Sequence, residues 1–148
     1  MYQSFADKLI EVTERHAEEI SKQWCQAVRS NPKTSFYHTL SAEECYPRAI
    51  EFYRNLRRIY FSAQPYTEVH EYFSSYGEQI YRDGMPLDQA IYALIMMRRH
   101  MWLFAEFQAT FITAADREQA VESINKTIRL FDHGIFIVIQ KYETLRKG

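Results

Sequence analysis

The chain has little with which to turn sharply. Only four glycines and four prolines occur among its 148 residues, too few for the repeated tight turns of an all-β protein. Glycine-dependent chemistry goes with them. There is no G-x-S-x-G, no G-x-G and no G-x-x-x-x-G-K, so neither a nucleophile elbow nor a phosphate-cradling loop is present. Cysteine is as scarce: Cys25 and Cys45 fit neither a C-x-x-C redox motif nor a disulfide framework, and read as two reduced thiols. Charge of one sign is missing too. Eighteen Lys and Arg stand against nineteen Asp and Glu, a net charge of −1, which gives no global attraction to nucleic acid or to an anionic membrane. The longest apolar run, "AIYALIMM", is far too short to cross a bilayer. The start, "MYQSFADKLIEV", lacks the basic and apolar regions of a signal peptide. These absences predict a single cytoplasmic domain over residues 1–148, with neither nucleic acid nor membrane as partner.

Aromatic residues are abundant: 10 Phe, 11 Tyr and 2 Trp, 16% of the chain. Tyrosine at this level suggests half-buried surfaces, because its ring is apolar and its hydroxyl needs a partner.

Hydrophobic periodicity predicts five helices and no strands, an all-α bundle. Ser4 and Asp7 can cap a first helix to about Ser30, with Val12, His16, Ile20, Trp24 and Val28 on one stripe. "SNPKTSFYHTL" breaks that pattern at Pro32. "SAEE" at 41–44 is a capping box, although Pro47 removes a donor and moves the expected start of the regular helix to Pro47. A third helix begins near Thr67, and its mid-helix Gly77 implies close contact with a neighbouring backbone. "RDGMP" stops it at Gly84, and Pro86 opens a fourth helix to about Ile112. Thr113 and Asp116 start a long last helix that nearly reaches Gly148.

That last helix is apolar on two sides. Val121, Ile124, Ile128, Phe131, Ile135, Val138, Tyr142 and Leu145 form a heptad seam that serves its own bundle. Leu130, Phe136, Ile137 and Ile139 lie outside it and form a second surface, and such patches mark interfaces. A homodimer through this helix is expected, carried by Phe131, Ile135, Phe136 and Ile139. The alternative is that the first helices wrap it completely.

Chemistry is hard to find. No two of His16, His38, His70, His100 and His133 lie one turn apart, and none has Glu three residues before it, so no helical metal site is predicted. "YHTLS" at 37–41 only loosely resembles a phosphotransfer motif around His38, which sits in the expected loop. His70 and His100 are spaced like the two haem-facing histidines of a globin, which leaves a haem-binding, globin-like sensor as the alternative function. "YRNLRRIY" places Arg54, Arg57 and Arg58 together, read as a solvated helix face. Arg98 interrupts an apolar stripe flanked by Leu94, Met101 and Trp102, and His16 does the same between Val12 and Ile20. A guanidinium there needs a carboxylate or water. Asp132 is the expected partner, with Glu106 and Asp116 as alternatives. Arg98, Asp132, His16 and Trp102 are therefore the candidate ligand-binding residues, either a register-fixing ion pair or a polar spot in an aromatic-lined cavity.

The segments "ISKQWCQAV", "GEQIYRDGMPLDQAIYALIMMRRHMW" and "INKTIRLFDHGIFIVIQKYE" together resemble the N-terminal domain of RsbRD-type (RsbT co-antagonist) proteins and related histidine kinases. The resemblance implies a non-enzymatic signal-input module without a required cofactor, whose last helix leads to an output domain. No output domain follows Gly148, so the chain is expected to be either an excised input domain or a stand-alone relative acting through a partner.

Overall fold

The computed structural model describes the backbone of residues 5–60, 65–107 and 114–148, and side chains at 10–59, 67–104 and 125–148. Among the described residues there are helices only: α1 (Phe5–Arg15), α2 (Ala17–Ser30), a 3-10 segment (Pro32–Thr39), α3 (Ala42–Tyr60), α4 (Pro65–Arg82), α5 (Leu87–Phe107) and α6 (Ala114–Lys147). The all-α bundle is as expected, but with six α-helices and a 3-10 segment in place of five helices.

The first predicted helix is divided at His16, whose ψ of 23° departs from helical geometry. The hydrogen-bond ladder still runs through the bend, His16 N donating to Val12 O at 3.0 Å and Ile20 N to His16 O at 3.0 Å. The bend lets the two halves lean on different neighbours while these two ladder bonds are kept. α3 begins at Ala42 and not at Pro47, which lies inside it. The capping box explains why. Ser41 Oγ accepts from Glu44 N at 3.2 Å, and Glu44 Oε1 accepts from Ser41 N at 3.2 Å. Those bonds hold the first turn, so the single ladder bond lost at Pro47 is tolerated. The capping residues expected at Ser4 and Thr113 lie outside the described residues.

The "RDGMP" turn closes as a Schellman motif. Gly84 takes φ 74°, Met85 N reaches Ile80 O at 3.0 Å and Gly84 N reaches Tyr81 O at 3.1 Å. Glycine is needed there because a Cβ disfavours positive φ. The motif's apolar contact is supplied by Ile80 and Met85, both buried.

The core is aromatic at its centre. Phe52 lies 5.4 Å from Phe131, 5.9 Å from Tyr72 and 6.3 Å from Phe73, ring centroid to centroid. Buried polar tips find backbone carbonyls: Trp24 Nε1 donates to Ala93 O and Tyr53 OH to Met97 O, each at 2.9 Å. These bonds pin α2 and α3 to α5 at the same time as the rings bury apolar area.

α4 and α6 run parallel and pack closest of all. A Cβ on Gly134 would stand 2.5 Å from the Phe73 ring, and one on Gly77 would stand 3.0 Å from Val138 O. The close contact expected at Gly77 is therefore present, and a second glycine answers it from the opposite helix. Gly134 also shifts the predicted seam. The buried face of α6 uses Thr127, Phe131, Gly134 and Val138, whereas Ile128 is exposed and Ile135 only half-buried. Val121 and Ile124 lie outside the described side chains.

Candidate functional site

α3 and α4 lie antiparallel and are tied at both ends. Arg58 meets Glu68 at 3.1 Å near one end, and Arg48 meets Asp83 at 2.9 Å near the other. Between these ties Phe52, Tyr72 and Phe73 fill the core side. The outer side is polar on both helices. Arg48, Glu51, Asn55 and Arg58 recur at steps of three and four along α3, opposite Glu71, Ser75 and Gln79 of α4, with Tyr72 and Tyr76 beneath. Two hydrated faces have no drive to close on each other, and a cleft of about 450 Å³ remains.

The inner end of the cleft is a group of polar side chains at the edge of the core. Burial pushes the Tyr76 phenol up to about 12, although Arg48 opposes the shift. Burial also raises Tyr37 well above its ordinary value, with Tyr76 adding to it. The Tyr37 hydroxyl is buried beside Tyr76 and does not itself line the cleft. Asp83 is held from two sides, by Arg48 and by Gln79 Nε2 at 2.9 Å. Both cleft arginines thus already face a carboxylate. Glu51 and Glu71 have no ion-pair partner among the described residues.

The residues singled out by the sequence fall elsewhere. Arg98 does meet Asp132, at 3.6 Å, and its guanidinium stands over the Phe131 ring at 5.8 Å. Asp132 is exposed, so the pair sits at the rim of the bundle rather than buried within it. Glu106 and Asp116 lie outside the described side chains. His16 is apart from this pair, its ring tilted against Phe104 with centroids 4.9 Å apart, in a hollow of about 250 Å³ beside the α1–α2 bend. Trp102 is half-buried on α5.

His70 is exposed on α4 and His100 half-buried on α5, where burial and then Arg99 hold the imidazole below its ordinary value. His38 belongs to the 3-10 segment, its Nε2 2.7 Å from Asn31 O. Arg54, Arg57 and Arg58 each face an acid, Glu18 at 3.9 Å, Glu14 at 2.8 Å and Glu68 at 3.1 Å, which agrees with a solvated face. Among the described residues no group of three His, Cys, Asp or Glu could hold a metal ion. No described helix is long and apolar enough to cross a membrane. Cys25 and Cys45 are free thiols buried at the α2–α3 contact, and burial, then the neighbouring Cys25, pushes the Cys45 thiol well up.

The proposed interface set requires correction. Phe131 is 0% exposed and is part of the central ring cluster, because the heptad seam on which it lies faces the chain's own bundle. Ile137, expected on the second surface, is also core. Phe136 is 56% exposed, with Ile135 and Ile139 half-buried. The cleft itself was visible in the sequence only as the polar spacing of residues 48, 51, 55 and 58, a pattern any solvated helix shares.

Comparison with protein families, with curated proteins and with solved structures finds no match.

Proposed function

We propose that the chain is a non-enzymatic, cytoplasmic signal-input domain. It forms a homodimer through the outer face of α6 and passes a signal to an attached or partner output domain. The observation that carries this reading is Phe136, 56% exposed on a 34-residue helix. Ile128, Ile135 and Ile139 share with it an arc of about 100° of the helix surface. An apolar strip left over after a helix has met its own core is characteristic of an association surface. The resemblance to RsbRD-type N-terminal domains points the same way.

The transmission route follows from packing. Gly134 receives the Phe73 ring and Gly77 lies against the Val138 backbone, so α4 and α6 meet without a gap and a displacement of α4 is poorly absorbed at their contact. A signal is passed only when an input prefers one α4 position over another. Light scattering over a range of concentrations tests the reading. Dimeric mass that becomes monomeric in Phe136→Glu, with unchanged helical circular dichroism, is the expected result. A monomer at every concentration removes self-association through α6.

A further inference from the structure

We propose that the α3–α4 cleft binds an organic polyammonium ligand, a diamine or polyamine chain, between the Glu51 and Glu71 carboxylates and along Tyr72 and Tyr76. The charge balance carries the choice of class. Arg48 is neutralised by Asp83 at 2.9 Å and Arg58 by Glu68 at 3.1 Å. The remaining carboxylates, Glu51 on α3 and Glu71 on α4, have no cation among the described residues, so with both arginines taken by Asp83 and Glu68 these two charges are left uncompensated there. An anion would have to displace Asp83 or Glu68 from its guanidinium. A cation displaces nothing.

The shape and walls select an organic cation. A volume of about 450 Å³ suits a small-molecule ligand. Ammonium groups spaced along a flexible chain can reach one carboxylate on each helix, while the methylenes lie on tyrosine rings that also attract positive charge. A compact divalent ion gains nothing from those rings and needs clustered oxygens, which the described residues do not supply. The ligand would draw α3 and α4 together and so move α6. That consequence rests on the signal-input reading; the binding itself does not.

Spermidine and 1,4-diaminobutane titrated into the full chain by calorimetry provide the test, with magnesium chloride as competitor at matched ionic strength. Saturable one-site binding of spermidine is expected, weakened about tenfold in Glu51→Gln/Glu71→Gln and unchanged in the equally neutralised Glu19→Gln/Glu43→Gln. Thermal melts confirm that both variants fold. Absence of saturable heat, equal weakening in both double variants, or equal displacement by magnesium overturns the proposal. Binding that leaves the molar mass and the α6 contact unchanged supports the site and removes only its coupling to α6. Binding by a monomeric chain likewise supports the site while the dimer reading fails.

Discussion

α4 has two faces that behave in opposite ways. Toward α6 it presents Phe73 and Gly77, which pack against Gly134 and Val138 with no room for one additional methyl group. Toward α3 it presents Glu71, Ser75, Tyr76 and Gln79, and a cleft of about 450 Å³ stays open. The same helix is thus closed against α6, while toward α3 it packs through Phe52, Tyr72 and Phe73 on the core side and stays open only on the outer side. Apolar contact without a gap resists displacement, whereas end-to-end ion pairs such as Arg48–Asp83 and Arg58–Glu68 are weak and partly screened. On the signal-input reading proposed above, a ligand in the cleft would move α4 and α6 as one body against α3.

The largest effect should come from emptying the locked side. Phe73→Ala leaves a hole between Phe52 and Gly134 and is expected to cost about 3–4 kcal/mol in urea unfolding. Gln79→Ala, on the open side, should stay within about 0.5 kcal/mol of wild type. Similar losses from both would end the distinction between the faces.

Filling the lock is the sharper test. Gly134→Ala forces the buried Phe73 ring to shift, and a net loss of about 2 kcal/mol is expected after the helix-propensity gain of alanine. Gly77→Ala presses on the Val138 carbonyl at 3.0 Å, a milder clash, for a net loss of about 1 kcal/mol. Phe73→Leu should recover part of the Gly134→Ala loss. If Gly134→Ala melts above wild type, α4 and α6 are not locked.

The smallest effect is a baseline from α5, which belongs to neither face. His100 is held below 6.5 by burial first and Arg99 second, so the unfolded chain binds its proton more readily. Its contribution to stability is complete above about pH 6.5 and is lost as pH falls through the lowered folded value. His100→Gln should flatten the urea midpoint between about pH 6.5 and pH 5, while variants in the cleft keep the wild-type slope there. An unchanged slope in His100→Gln would show that His100 is hydrated in solution.

Local signals translated well into structure. The Ser41–Glu44 box and the Gly84 turn are present, because each depends on residues within one or two helical turns; the close contact at Gly77 is present too, because a mid-helix glycine is costly unless a neighbour needs its space. The bend at His16 left no trace in the stripe from Val12 to Val28, since the ladder bonds of His16 N and Ile20 N run through it and only the ψ of His16 marks it. Arg98 and Asp132 were paired correctly, for a guanidinium in an apolar stripe has few partners within reach. The seam on α6 was half right. Phe131 and Val138 face inward as the heptad requires, but Gly134 replaces Ile135 at the contact, because the partner presents a phenyl ring that only a bare backbone can receive.

The sequence by itself determined that the chain is helical, where most of its helices stop, and that its last helix has more apolar surface than one seam uses. Those features follow from periodicity and capping, whose reach is a few residues. Only the tertiary structure decided that Phe131 is core while Phe136 stays in water, and that the polar faces of α3 and α4 meet to leave a cleft. Burial and enclosure depend on which distant surfaces meet, and a helix's own pattern does not specify the surface opposite it.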